Sequence, residues 1–141
     1  MADTKPFLKL TNGGAFKVLE KAVEQATLDG VPECIAIVDP GGHLLAFTRM
    51  DGAFTQSIDS AIAKARTAAS FGKPTGFGNV GNEIKLQMAS QGQRVNLFGG
   101  LPIIVDGHVI GAIGIGSATG EEDLAVAKIA ITAIDGAQSF D

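Results

Sequence analysis

Hydrophobic and polar positions alternate in period along the chain, and each change of period marks an element. From residue 18 onwards Val18, Leu19, Ala22, Val23 and Ala26 recur at helical spacing, with Lys17, Glu20, Lys21 and Glu24 between them. Thr11 or Asn12 would cap this first helix, and Gly30 would end it in a left-handed turn. CIAIV (34–38) is a short β-branched run, hence a buried strand. Asp39-Pro40-Gly41-Gly42 has the residues of a tight turn, and His43–Met50 returns as the second strand of a hairpin. After the break at Asp51-Gly52, a helix from Ser57 to Phe71 places Ile58, Ala61, Ile62, Ala65, Ala68 and Ala69 on its inner face.

Residues 72–83 read as a loop rich in Gly, Asn and Pro, and 83–90 as a short helix with Ile84 and Met88 one turn apart. In LPIIVDGHVIGAIGIG, Asp106-Gly107 has the composition of a two-residue type I′ turn between strands 101–105 and 108–115. An unbroken register would put Leu101, Ile103 and Val105 with His108, Ile110 and Ala112. Pro102 and Ile104 would then share the other face with Val109, Gly111 and Ile113. Both faces are apolar, as expected of a central hairpin or of one covered by a second subunit. Thr119 and Glu122 form a capping box for a last helix, whose inward stripe is Leu124, Ala127, Ile131 and Ile134 and which Gly136 would end. Tight turns between consecutive strands imply antiparallel pairing, so the class is α+β.

Composition narrows the function. The 141 residues suit one domain and are 45% hydrophobic, so apolar surface shared between subunits is expected. A formal net charge of −4 with no basic stripe argues against a nucleic-acid partner. Neither a signal-like leader nor a membrane-length apolar run is present, which suggests a cytoplasmic protein. Cys34 is the lone cysteine, so an intrachain disulfide and a thiolate metal cluster are both excluded. No spacing of metal ligands stands out.

Candidate chemistry concentrates in residues 47–75. Arg49 closes an apolar strand, Asp51 follows in the turn, and Lys64 rises from a helix face of alanines. Two readings stand side by side. In one, the three charges are structural, as an ion pair or a cap. Alternatively, Arg49 binds a carboxylate while Asp51 or Lys64 carries a proton as acid or base. Gly114, Gly116 and Gly120 lie between a strand and a helix, but their spacing misses the dinucleotide fingerprint by one residue, and Glu121, Glu122 and Asp123 oppose a phosphate there. His43 and His108 each follow a turn, and would share a metal or haem iron only if folding brings them together.

VDPGGHLLAFTRMDGAFTQSIDSAIAKARTAASF and FGGLPIIVDGHVIGAIGIGSATGEED together resemble the GlcG/HbpS family, which includes the C-terminal domain of PduO-type corrinoid adenosyltransferases. The likeness runs from about residue 11 to about residue 135, through R-M-D-G-A, K-A-x-T-A and G-G-x-P-I. It implies a profilin-like fold, with an antiparallel sheet of about five strands flanked by helices, and homo-oligomers built from dimers. It also implies a small organic ligand, with haem as one candidate. The haem-binding relatives use a histidine in the N-terminal part; here the earliest is His43, the residue expected to hold the cofactor. Where the family shows G-V-S-G this chain has Gly114-Ile115-Gly116-Ser117, so its serine is displaced by one position.

The leading expectation is therefore an oligomeric small-ligand binder of this type. Its pocket would lie between the RMDGA turn, the Lys64 helix and the loops carrying Gly100, Pro102, Gly116 and Ser117. The alternative is a lyase, isomerase or hydrolase acting on a small carboxylic acid in a catabolic pathway.

Overall fold

A computed structural model describes all 141 residues. The elements are α1 (Asn12–Asp29), β1 (Cys34–Val38), β2 (Leu44–Arg49), α2 (Ser57–Phe71), α3 (Val80–Ala89), β3 (Gly100–Val105), β4 (His108–Gly116) and α4 (Gly120–Ala130), which runs on into a 3₁₀ turn, Ile131–Ala133. The strands form one antiparallel sheet in the order β2-β1-β4-β3. The class is the expected α+β, with four strands rather than about five. Between α3 and β3, positive φ at Gln91 (58°), Gly92 (79°) and Gly99 (123°) breaks the extended backbone that another strand would need.

The local signals behave as their chemistry dictates. Thr11 caps α1 by accepting from the Gly14 amide at 2.9 Å, and Gly30 ends that helix at φ 71°. Asp106 and Gly107 both have positive φ, as a type I′ turn requires. Thr119 and Glu122 make the reciprocal capping box on α4.

Helices cover both faces of the sheet. Ile35, Ile37, Leu101, Ile103, Ile113 and Ile115 pack against α1 and α4 as the main core. A buried isoleucine contributes about 1.5–3 kcal/mol, so this layer carries most of the apolar stabilisation. Cys34, Ala36, Val38 and Ala112 face Ala61, Ala65, Ala68 and Ala69 of α2. That second layer is thin. A Cβ on Gly114 would run into the Ala61 carbonyl oxygen and the Ala65 amide nitrogen, so the α2 backbone lies directly on the sheet.

The register of the β3–β4 hairpin departs from the unbroken one. Leu101 pairs with Ile113 and Ile103 with Gly111, and the register shifts before Ile104 pairs with Val109. The extra residue, Ile110, is a bulge. It keeps Ile110 in the core with Leu101 and Ile103 while bringing Ile113 and Ile115 to the same side. Of the two strands only β4 is central; β3 is an edge, where Pro102 is tolerated. Helix α3 starts three residues earlier than its sequence suggests, because Asn79 caps it by accepting from the Asn82 amide at 3.1 Å. It buries no side chain and leaves Val80, Ile84 and Met88 exposed. The last helix stops at Ala130, well before Gly136.

Candidate functional site

The three charges singled out in the sequence do not meet. Arg49 and Asp51 are exposed at the end of β2 and line one open cavity of about 560 Å³, together with Met50, Pro32 and the end of α1. Lys64 is not among its walls. Its side chain is 5% exposed, donating from Nζ to the Ile115 carbonyl at 2.8 Å and to Asp123 Oδ2 at 3.1 Å. The separation follows from topology: β2 is an outer strand, whereas α2 packs over β4, β1 and β3.

Lys64 instead belongs to a buried cluster with Asp123 and Glu33. Asp123 Oδ1 also accepts from the Ala118 amide at 3.1 Å. Glu33 is fully buried, and neither carboxyl oxygen has a donor partner. Burial first, and the Asp123 carboxylate second, push Glu33 up to about 9, against a smaller opposing pull from the Lys64 ammonium. A neutral Glu33 carries a donor of its own and avoids burying a second carboxylate beside Asp123. Gly99, at φ 123°, leaves room for this cluster, since a Cβ there would sit 3.2 Å from Lys64 Nζ and 3.0 Å from Asp123 Cβ.

The other predicted ligand-binding positions surround this sealed cluster. The Gly100 amide donates to Thr75 Oγ1 at 2.9 Å and is not free for a ligand. Pro102 and Gly116 are buried, and a Cβ on Gly116 would approach Ser60 Oγ at 3.0 Å. Ser117, held at φ 105°, accepts from the Phe54 amide at 2.8 Å and ties the RMDGA turn to the loop before α4. Cys34 is buried, and burial pushes its thiol up, with no base beside it.

Open space lies at the opposite end of β1. In the β1–β2 turn the Asp39 carboxylate accepts from the Gly41 amide at 2.9 Å and the His43 amide at 3.0 Å, and faces His43 Nδ1 at 3.1 Å. Burial would raise Asp39, but these amides and the imidazole together hold it below the ordinary carboxylate range. A carboxylate only accepts, so Nδ1 carries a proton in this contact, which leaves Nε2 for other partners. The His43 side chain is 81% exposed. A Cβ on Gly41 would collide with the imidazole, 2.8 Å from Cε1, and one on Gly42 would press on the Arg66 stem at 3.2 Å. These two glycines shape a cavity of about 480 Å³ with no hydrophobic wall, lined by His43, Arg66, Ser70, Gln93 and Arg94 among others. Across Pro40 lies a second cavity of about 480 Å³, walled by Pro6, Phe7, Val109, Lys5 and His108. His108 meets the Phe7 ring edge-on at 6.1 Å.

Residues 10–132 match the model of a family described as haem degrading protein HbpS-like. The chain belongs to the HbpS-like family. Among relatives, a 15.0 kDa protein of the dhaT–dhaS intergenic region of Citrobacter freundii is 37% identical over 126 residues, covering 83% of this chain and 87% of its own. GlcG of Escherichia coli K12 is 35% identical over 102 residues, covering 72% of this chain and 76% of its own. Among solved structures, the haem complex of PduOC superposes with a TM-score of 0.84 at 28% identity, covering 95% of this chain and all of that one. This HbpS-like chain thus shares the α+β fold expected from its motifs.

Sequence reasoning passed over Glu33, Asp123, Arg66 and Arg94. For Asp123 a signal existed: it lies three, four and seven positions before Val126, Ala127 and Ala130, on the buried stripe of α4. Glu33 carries no such mark, being a single acid ahead of a strand.

Proposed function

We propose that this HbpS-like chain is a haem-binding protein, with His43 supplying the iron ligand through Nε2. The observation that carries the reading is the Asp39–His43 pair. A histidine with Nδ1 donating to a carboxylate and Nε2 turned outward has the form typical of metal-ligating imidazoles. Surface suited to a macrocycle lies across Pro40 from His43 rather than in the polar cavity that His43 itself lines. Phe7, Pro6 and Val109 across Pro40 offer apolar surface for a macrocycle, and Lys5 and Lys9 offer ammonium groups for its propionates. Bound haem would supply iron redox chemistry; the chain's own part is to hold the group and orient the imidazole. The haem complex of PduOC and the family's description support the reading.

We further infer a cytoplasmic homo-oligomer built from dimers. Exposed Phe77, Val80, Ile84, Met88 and Leu97 give the chain apolar surface suited to a second copy. No helix is long and apolar enough to cross a membrane.

Haem titration followed in the Soret region tests the assignment. Saturable binding that His43→Ala abolishes and His108→Ala leaves intact is the expected result. Loss in His108→Ala alone would remove His43 from its role, and no saturable Soret change in wild type would end the haem reading.

A second reading is an enzyme acting on a small carboxylic acid, a lyase, isomerase or hydrolase, with Arg49 binding the acid and Asp51 moving the proton. It rests on these two residues sharing an open cavity. Lys64, sealed in its ion pair, does not reach that cavity. Turnover of a carboxylic acid that Asp51→Asn abolishes at unchanged ligand affinity would favour this reading over simple binding.

A further inference from the structure

The cavity beside His43 has walls that no haem macrocycle would choose. None of its ten lining residues is hydrophobic, no carboxylate is among them, and two are arginines. Arg66 donates from Nε to the Gly42 carbonyl at 3.1 Å, which leaves both terminal amino groups free, and it forms no ion pair. Arg94 is held from two sides. Its guanidinium stacks 3.7 Å above the Phe71 ring, and Nε and Nη2 grip the Glu83 carboxylate at 3.1 and 3.0 Å. That leaves Nη1 uncommitted on a side chain only 18% exposed. The acid nearest the turn, Asp39, is engaged by the Gly41 and His43 amides, the His43 imidazole and Lys9, so it does not cancel the arginines. The free fork of Arg66 and the single free amino group of Arg94, the latter pre-oriented by stacking and by Glu83, therefore face a space with no carboxylate in its walls.

Arginine forks of this kind match the oxygen pairs of carboxylates and phosphates. The lining carries mostly polar side chains, and Ser70 and Gln93 stand ready for hydroxyl groups, which suits a polar ligand. We propose that this cavity binds a small hydroxylated oxyanion, bearing carboxylate or phosphate ester groups, between Arg66 and Arg94. The site goes beyond haem binding and does not depend on it.

Isothermal titration of the full-length protein at low ionic strength would test it, with citrate, glucose 6-phosphate, inorganic phosphate and uncharged xylitol as probes. Saturable binding of citrate or glucose 6-phosphate, and none of xylitol, is expected. Binding of citrate alone assigns a carboxylate ligand, and of glucose 6-phosphate alone a phosphate ester. Arg66→Met keeps the stem against Gly42 and removes the fork, so it should weaken binding by about tenfold or more. The exposed helix variant Lys17→Met should not. Arg94→Met should act like Arg66→Met, but because it also frees Glu83, Arg66→Met with unchanged circular dichroism is decisive. No saturable binding of any anion up to about 10 mM would overturn the proposal, as would equal affinity in wild type and Arg66→Met. Haem titration of the same preparations separates the two readings, since Arg66→Met should lose anion binding and keep the Soret change.

Discussion

Replacing Glu33 by Gln should make the protein more stable at neutral pH and flatten its dependence on pH. The carboxyl has an ordinary value of 4.5 and is pushed up to about 9 in the folded protein by burial and by Asp123. The folded state therefore holds a proton that the unfolded chain releases above 4.5. Stability is highest below the unfolded value and declines as pH rises toward 9. At pH 7 the gap from 4.5 is two and a half pH units, at about 1.4 kcal/mol each, so Glu33 costs about 3 kcal/mol there. A glutamine has the same shape, titrates nowhere in this range, and its amide can donate to Asp123 as the neutral acid does. Urea melts of both proteins at pH 5.5, 7 and 8 would read the effect. The wild type should lose stability steadily across that series, while Glu33→Gln changes by under about 1 kcal/mol from this source. Equal slopes in the two proteins would mean that Glu33 is ionised in the folded state, and the account of a neutral buried Glu33 would fall.

Two further outcomes test the packing. Lys64→Met removes the only cation from the cluster and strands Asp123, so a loss of about 3–5 kcal/mol is expected by chemical denaturation. Adding Asp123→Asn should recover part of it, and simple additivity of the two changes would refute the pairing. Gly114→Ala would drive a methyl into the α2 backbone and should cost about 1–3 kcal/mol or more; a midpoint unchanged from wild type would show that α2 can lift off the sheet freely.

What could be read in the sequence was local. The Thr11 and Thr119 caps, the Gly30 stop and the Asp106-Gly107 turn each depend on residues within a few positions of one another, and each forms as its chemistry requires. Tight turns between consecutive strands carried the α+β class, and motifs spread along the chain carried the family. The β3–β4 register escaped because a bulge is an added residue, and an apolar strand such as HVIGAIGIG has no polar alternation to reveal where the addition falls. Sites failed for a related reason. Lys64 is close in sequence to Arg49 and Asp51 yet ends apart from them, while it pairs with Asp123, 59 positions on, near the buried Glu33. Arg94 needed Phe71 and Glu83 from two other segments to become rigid, and nothing near it announces either.

The buried cluster has a kinetic consequence. Lys64 and Asp123 are 59 positions apart, and Glu33 precedes Lys64 by about half as much chain. Each group keeps its own shell of water until α2, α4 and the start of β1 have all arrived. The cost of stripping that water falls late, on the native side of the folding barrier. Removing the cost at Glu33 should then lengthen the lifetime of the folded molecule through slower unfolding and leave the refolding rate almost unchanged. The buried charge cluster would in this way set how long the fold lasts rather than how fast it forms.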